Sequence, residues 1–327
     1  MTQNDLDDQL TKYLTDAHSI EQQALPQMER AKEIAGDTQI AQQFAAHLDE
    51  TREHERLVAA RLEARGASSS ALKDLAGRVT GVGFALFAKF QPDTPGKLIT
   101  HAFSYEHMEL AAYDLLGRVA ERAGDEETLR VAQLIGGQEQ AMATRLEGFF
   151  DRAVEASLRE HPREDLDRQL EKYLTDAHAI EAQALQLLDK GSSIAGAPVL
   201  SAAFEDHLAE TRKHERLVSE RLEARGASSS KVKDAAMSLG ALNWGGFFAA
   251  QPDTPAKLAS FAYAFEHLEI AAYELLSRVA RRANDSATEA VAQEILAQER
   301  AAARRIRSLF EEALDATLEA RGVGAAR

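Results

Sequence analysis

Shifted by 160 positions, this 327-residue sequence aligns with itself without a gap over nearly its whole length. Thr15-Asp-Ala-His18 returns as Thr175-Asp-Ala-His178. Arg61-Leu-Glu-Ala-Arg-Gly-Ala-Ser-Ser-Ser70 returns at 221–230, and Gln91-Pro-Asp-Thr-Pro95 at 251–255. Solenoid repeats are far shorter, roughly 20–45 residues, so a unit of this length present twice is a duplicated domain. Two domains are expected, residues 1–160 and 161–327, each long enough to bury its own core. The duplication also supplies an internal comparison: a position kept in both copies is a better functional candidate than one that either copy has lost.

Gly and Pro are sparse, β-branched residues few, and Ala, Leu, Glu and Arg abundant, which is the composition of an all-α chain. In the first copy the punctuation marks helices at about 5–35, 38–65, 71–90, 95–122 and 125–160. Gly66 reads as the glycine just past a helix C-terminus, Ser68-Ser-Ser70 as cap candidates, and Thr94-Pro95 as an N-cap followed by a first-turn proline. The turns at Gly36-Asp37 and Gly124-Asp125 are short, so each flanking helix pair is expected to run antiparallel. About 30 residues separate the two pairs, enough for a long crossover that contains the short extra helix. Two hairpins joined by one crossover form the ferritin-like arrangement of four-helix bundles. Pro26 is expected to kink the first helix, a feature its counterpart Gln186 does not share.

A formal charge of -15 argues against a nucleic-acid partner, which would meet a basic face. There is no cysteine, hence no disulfide framework, thiol nucleophile or thiolate metal site. The first residues lack an apolar signal-peptide core, and no apolar run reaches the length of a membrane span, so a soluble cytoplasmic protein is expected.

The chemistry sits on the inward faces. Glu106-His-Met-Glu-Leu-Ala-Ala-Tyr113 returns as Glu266-His-Leu-Glu-Ile-Ala-Ala-Tyr273. At 3.6 residues per turn, Glu106, Glu109 and Tyr113 share the side that carries Ile99, Ala102 and Leu110. Glu21 lies among Leu14, Ala17 and Leu25; Glu50 and His54 share a side with Ala46 and Leu57; Glu139 lies among Ala132, Ile135 and Leu146. The second copy keeps all six, as Glu181, Glu210, His214, Glu266, Glu269 and Glu299, whereas Glu53 has become Lys213 and Glu147 has become Arg307. Ionised carboxylates are almost never buried unpaired. With no Lys or Arg on these stripes, two divalent cations per bundle would offset most of the charge of the five carboxylates, and carboxylates with an imidazole suit iron or manganese. The bland reading is a polar core of protonated or water-bridged glutamates.

Each half resembles the YciF/YciE group of ferritin-like, stress-associated bacterial proteins. The resemblance rests on Ser19-Ile-Glu21, Glu50-Thr-x-x-His54, Glu106-His-x-Glu109-x-Ala-Ala-Tyr113 and Glu139, and covers about residues 5–155 and 165–315. It implies a ferritin-like fold, a di-metal centre and a role in oxidative or general stress. Two features depart from the broader ferritin-like pattern: the second helix carries Glu-x-x-x-His instead of Glu-x-x-His, and Met142 (Ala302 in the copy) stands three residues after Glu139, where a second histidine would be. Glu109 is a candidate for that vacant ligand place.

His47 and His207, one turn before Glu50 and Glu210, are expected to hydrogen-bond behind a ligand, with direct ligation as the other reading. His18 and His178 read as capped or partly exposed; His107 and His267 point about 100° away from the carboxylate stripe. Tyr113 and Tyr273 are either core tyrosines with bonded hydroxyls or donors to a redox centre. The apolar stretch 81–90, poorly kept at 241–250, suits a cover over one end of the bundle or a contact between copies. The functional expectation is a dinuclear iron or manganese protein acting on hydrogen peroxide or oxygen, as a peroxidase, catalase-like enzyme or ferroxidase. Its copies would form an internal pseudo-dimer, open to further homo-oligomerisation. The alternative is a non-catalytic helical stress or binding protein with a structural or vestigial metal site.

Overall fold

The computed structural model describes residues 3–66, 94–159, 162, 165–226 and 254–323. Among these the chain is all-helical, with ten helices in two similar halves: α1 (Gln3–Ile34), α2 (Thr38–Ala64), α3 (Pro95–Ala123), α4 (Glu126–Glu147) and α5 (Phe150–Leu158), then α6 (Leu166–Ile194), α7 (Pro198–Ala224), α8 (Thr254–Arg282), α9 (Ser286–Ser308) and α10 (Phe310–Ala320). The expected crossover helix at 71–90, its Ser68–Ser70 cap and the apolar stretches 81–90 and 241–250 lie outside the described residues.

In each half the four long helices meet as two hairpins. α1 lies along α2 and α3 along α4; α1 also packs on α3, and α2 touches α4. The second half repeats this with α6 to α9. The turns are built as their residues dictate. Asp37 caps α2 by accepting from the backbone N–H groups of Gln39 and Ile40. Thr94 caps α3 ahead of Pro95 by accepting from Lys97 N–H. Gly124 closes α3 in the left-handed region at φ 69°, and Asn284 holds the equivalent place at φ 57°. α1 runs unbroken through Pro26.

One end of each helix set is tied by a charged knot. Arg61 in the last turn of α2 and Arg65, its C-cap, both reach Asp125 at 3.0 Å, and Arg65 also reaches Asp7 of α1 at 2.8 Å. Asp125 in turn caps α4 through Thr128, accepting from its backbone N–H at 2.9 Å and its hydroxyl at 2.8 Å. Arg221, Arg225, Asp285 and Asp167 repeat the knot. It fixes the relative height of three helices and so the level at which their inward side chains meet.

The fourth helix does not continue to 160. It stops at Glu147, and α5 starts at Phe150, with Phe149 at φ -101°, ψ 0°. Glycine is not the cause, because Gly148 has become Ser308 while Leu309 adopts the same conformation at φ -99°, ψ 8°. Both breaks are followed by a phenylalanine, Phe150 or Phe310, that is 1% exposed, so the bend serves burial of that ring.

By internal contacts the chain divides into two compact units, Met1–Glu147 with Leu318–Arg327, and Gly148–Thr317. α5 therefore belongs to the second unit. There the Arg278 guanidinium lies over the Phe150 ring at 5.6 Å and pairs with Asp151 at 3.2 Å, while Arg282 pairs with Glu155 at 3.4 Å. No described helix is long and apolar enough to cross a membrane.

Candidate metal centre

Seven residues separate His47 from His54, about 20° short of two full turns, so on α2 the two imidazoles stand almost in line. Their ring centroids are 6.4 Å apart. Around them converge Glu21 from α1, Glu106 and Glu109 from α3 and Glu139 from α4, none of the six residues more than 1% exposed. They form two groups with one shared member: His47, Glu106, Glu109 and Glu139, and Glu21, His54 and Glu139, with one ligand atom from each residue within 4.8 Å of the others. His207, Glu266, Glu269 and Glu299, with Glu181, His214 and Glu299, repeat both groups in the second half.

The outer nitrogen of each imidazole is occupied. His47 Nδ1 lies 2.9 Å from Glu50 Oε2, and His54 Nε2 lies 2.8 Å from Gln138 Oε1. Both partners are acceptors, so the outer nitrogens carry the protons; this tautomer follows from the partners. In the second half the orientation of the Gln298 amide is supported by its own N–H group, which donates to Glu294 and leaves Oε1 for His214. The inner nitrogens then present lone pairs to carboxylate oxygens. His47 Nε2 lies 3.3 Å from Glu106 Oε2 and from Glu139 Oε2; His54 Nδ1 lies 2.7 Å from Glu139 Oε1 and 3.8 Å from Glu21 Oε2.

These approaches are close but not hydrogen bonds. His54 Nδ1, both oxygens of Glu106, both of Glu139, Glu21 Oε2 and Glu109 Oε2 are buried with no hydrogen-bond partner. Orphaned polar atoms on this scale are rare in folded proteins. Acceptors facing acceptors repel unless a cation stands between them. The donor set of carboxylates and imidazole fits a hard or borderline divalent ion such as iron or manganese. The charges also match: four buried carboxylates and two neutral imidazoles balance two dications.

Without a cation, the groups shift to relieve their repulsion. Burial, reinforced by the charge of Glu139, pushes Glu21 up to about 8, and burial with Glu299 does the same to Glu181. Glu109 and Glu269 are driven well above the usual carboxylate range by burial and then by Glu139 and Glu299. Burial opposes protonation of His47, yet Glu106, Glu50 and Glu139 hold it up at about 11. The Tyr113 hydroxyl donates to Glu21 Oε1, and Tyr273 to Glu181 Oε1. Burial and that neighbouring glutamate raise both phenols.

Of the residues expected from the sequence, the structure thus brings together Glu21, His54, Glu106, Glu109 and Glu139, with Tyr113 against Glu21. Glu50 and Glu210 lie outside the groups. The Glu50 side chain is 32% exposed and held between His47 and Arg145, which reaches the same Oε2 at 3.0 Å. His47 stands inside. The signal that could have found it was the seven-residue spacing to His54, kept as His207 and His214. His18 is buried and paired with Glu55 at 2.9 Å. His107 bonds the Phe103 carbonyl of its own helix at 2.7 Å, with its ring 4.4 Å from the Phe103 ring.

No solved structure matches the chain. One family does, described as a domain of unknown function (DUF892), and it matches twice, over residues 5–159 and 165–319. These matches cover most of the sequence in two successive blocks, and the chain belongs to that family as a tandem duplication.

Proposed function

We propose that each half is a ferritin-like four-helix bundle holding a dinuclear iron or manganese centre, and that the protein is a cytoplasmic stress protein acting on hydrogen peroxide or oxygen. The observation that carries this reading is the shared glutamate. Glu139 turns Oε2 toward His47 and Oε1 toward His54, so a single carboxylate would bridge the two ions. Glu299 faces His207 and His214 in the same way.

His47, Glu106 and Glu109 would hold one ion, Glu21 and His54 the other. When bound, such a pair supplies two-electron redox chemistry toward an O–O bond. The chain's own residues hold the ligands and exclude water. Gln138 and Glu50 fix the imidazoles with lone pairs inward, and the buried walls keep solvent from the carboxylates. Tyr113 and Tyr273 are the proposed catalytic side chains. Each donates its hydroxyl to an oxygen of a ligand glutamate, which would hold a phenolic proton beside the centre.

The test is metal analysis of protein purified without chelator, followed by turnover assays with peroxide and with ferrous ion. Stoichiometric iron or manganese with turnover of either substrate supports the reading. Stoichiometric metal without turnover supports the alternative of a non-catalytic protein with a structural site, and protein without metal after growth in abundant iron and manganese would end the dinuclear reading and leave the non-catalytic one with a vestigial site.

A further inference from the structure

Each centre has one carboxylate more than the charge balance needs, and the structure pairs it with an arginine. Glu50 comes from α2, touches the site through His47 and also reaches solvent, with its side chain 32% exposed. A single oxygen, Oε2, meets both His47 Nδ1 at 2.9 Å and Arg145 Nη2 at 3.0 Å. Arg145 comes from α4, the helix that also carries Glu139. Glu210 Oε2 likewise meets His207 Nδ1 at 3.0 Å and Arg305. The arginine is kept in both copies although residues around it are not: Glu147 has become Arg307 and Thr144 has become Arg304.

We infer that Arg145 and Arg305 are positioning residues for the metal centres, acting through Glu50 and Glu210 on His47 and His207. Two effects follow from the geometry. The guanidinium restrains a half-exposed carboxylate that would otherwise change rotamer freely, and so holds the imidazole with Nε2 inward. It also cancels the charge of Glu50, which leaves the four buried carboxylates as the ones that two dications neutralise. Loss of the arginine would free Glu50 to change rotamer and so loosen His47. The inference rests on the dinuclear reading but does not depend on any activity of the loaded protein.

The duplication makes the test self-controlled. Cobalt(II) is titrated into the metal-free full-length chain, and affinity is read together with the visible d–d bands, in wild type, Arg145→Ala, Arg145→Lys and Glu50→Gln. In Arg145→Ala the first-half centre is expected to bind roughly 10–100-fold more weakly with altered bands, while the second half keeps wild-type affinity. Arg145→Lys, which keeps the charge but not the reach, should fall between, and so should Glu50→Gln, which keeps an acceptor for His47 but not the charge. Unchanged affinity and bands in either arginine variant would overturn the inference. Equal weakening of both halves would also overturn it, because that is general damage to the fold. If wild type itself binds no cobalt, it is the dinuclear reading that fails. If Arg145→Ala does not fold, Arg145→Lys alone decides.

Discussion

His54 Nδ1 and Glu139 Oε1 lie 2.7 Å apart at the centre of the first half, and neither makes a hydrogen bond. His214 and Glu299 repeat the relationship at 2.7 Å. Two acceptors at that distance have a common interest in a cation. Because Glu139 belongs to both metal groups, Glu139→Gln is expected to empty the whole first-half centre and not a single position. Metal content per chain should fall from about four ions to about two. A fall to about three would mean that Glu139 serves one ion only.

Glu109 separates the cost of the empty site from its use. Its neighbours within the cluster are chiefly carboxylates, and burial drives it far from its ordinary ionisation. Glu109→Gln is therefore expected to stabilise the metal-free protein, by about 1–3 kcal/mol, and to weaken metal binding. A bound ion at 100 times its dissociation constant adds about 2.7 kcal/mol. The variant should thus melt higher than wild type in chelator and show a smaller rise on adding manganese(II), as read by thermal denaturation. A variant less stable in chelator would contradict a site built at a cost to the fold.

The charged knots give the pH dependence. Burial would raise Asp125, but the Thr128 backbone and hydroxyl and then Arg61 lower it to about 2; Asp285 is lowered to about 2 in the same way by Thr288, Arg221 and Arg225. A carboxylate depressed on folding stabilises fully above its unfolded value, near 4, and that contribution disappears as pH falls through about 2. Each knot is worth roughly 1–2 kcal/mol after allowance for partial exposure. Asp125→Asn with Asp285→Asn should be less stable than wild type at pH 6, and the gap measured by denaturant unfolding should close between pH 4 and pH 2.

Asn284 and Gly124 occupy the same left-handed turn in the two halves. A β-carbon in that region costs about 1 kcal/mol, which asparagine partly recovers through local hydrogen bonding. Asn284→Gly is expected to stabilise by about 0.5 kcal/mol and Asn284→Ala to destabilise by about 1 kcal/mol. Nothing lies within 4 Å of a β-carbon built on Gly124, so Gly124→Ala should cost backbone strain alone, again about 1 kcal/mol, by equilibrium unfolding.

Much of the fold was legible because its signals are local. The Thr94 cap, the Gly36-Asp37 turn and the Gly66 and Gly124 stops act within one turn, and the duplication sorts most of the inward acids from the solvated ones. Glu53 and Glu147 gave way to bases where Glu21 and Glu139 did not. The order of ligands on α2 was less legible. His47, Glu50 and His54 fall within one face, and which of them reaches the interior depends on how α2 is rolled against α4. That roll is set by pairs such as Glu50 with Arg145, 95 residues apart, which a helical wheel cannot contain. The bend at Phe149 was hidden for a similar reason. Burial of the Phe150 ring, which Arg278 covers, is a tertiary contact and leaves no breaker residue behind.

The most direct measurement is an anomalous-scattering map at the iron and manganese edges, from crystals of protein purified without chelator. Two peaks in each half are expected, roughly 3.5–4 Å apart, one between His47, Glu106 and Glu109 and one between Glu21 and His54, with Glu139 reaching both. A single peak per half, or only water among these side chains after growth with abundant iron and manganese, would contradict a dinuclear centre.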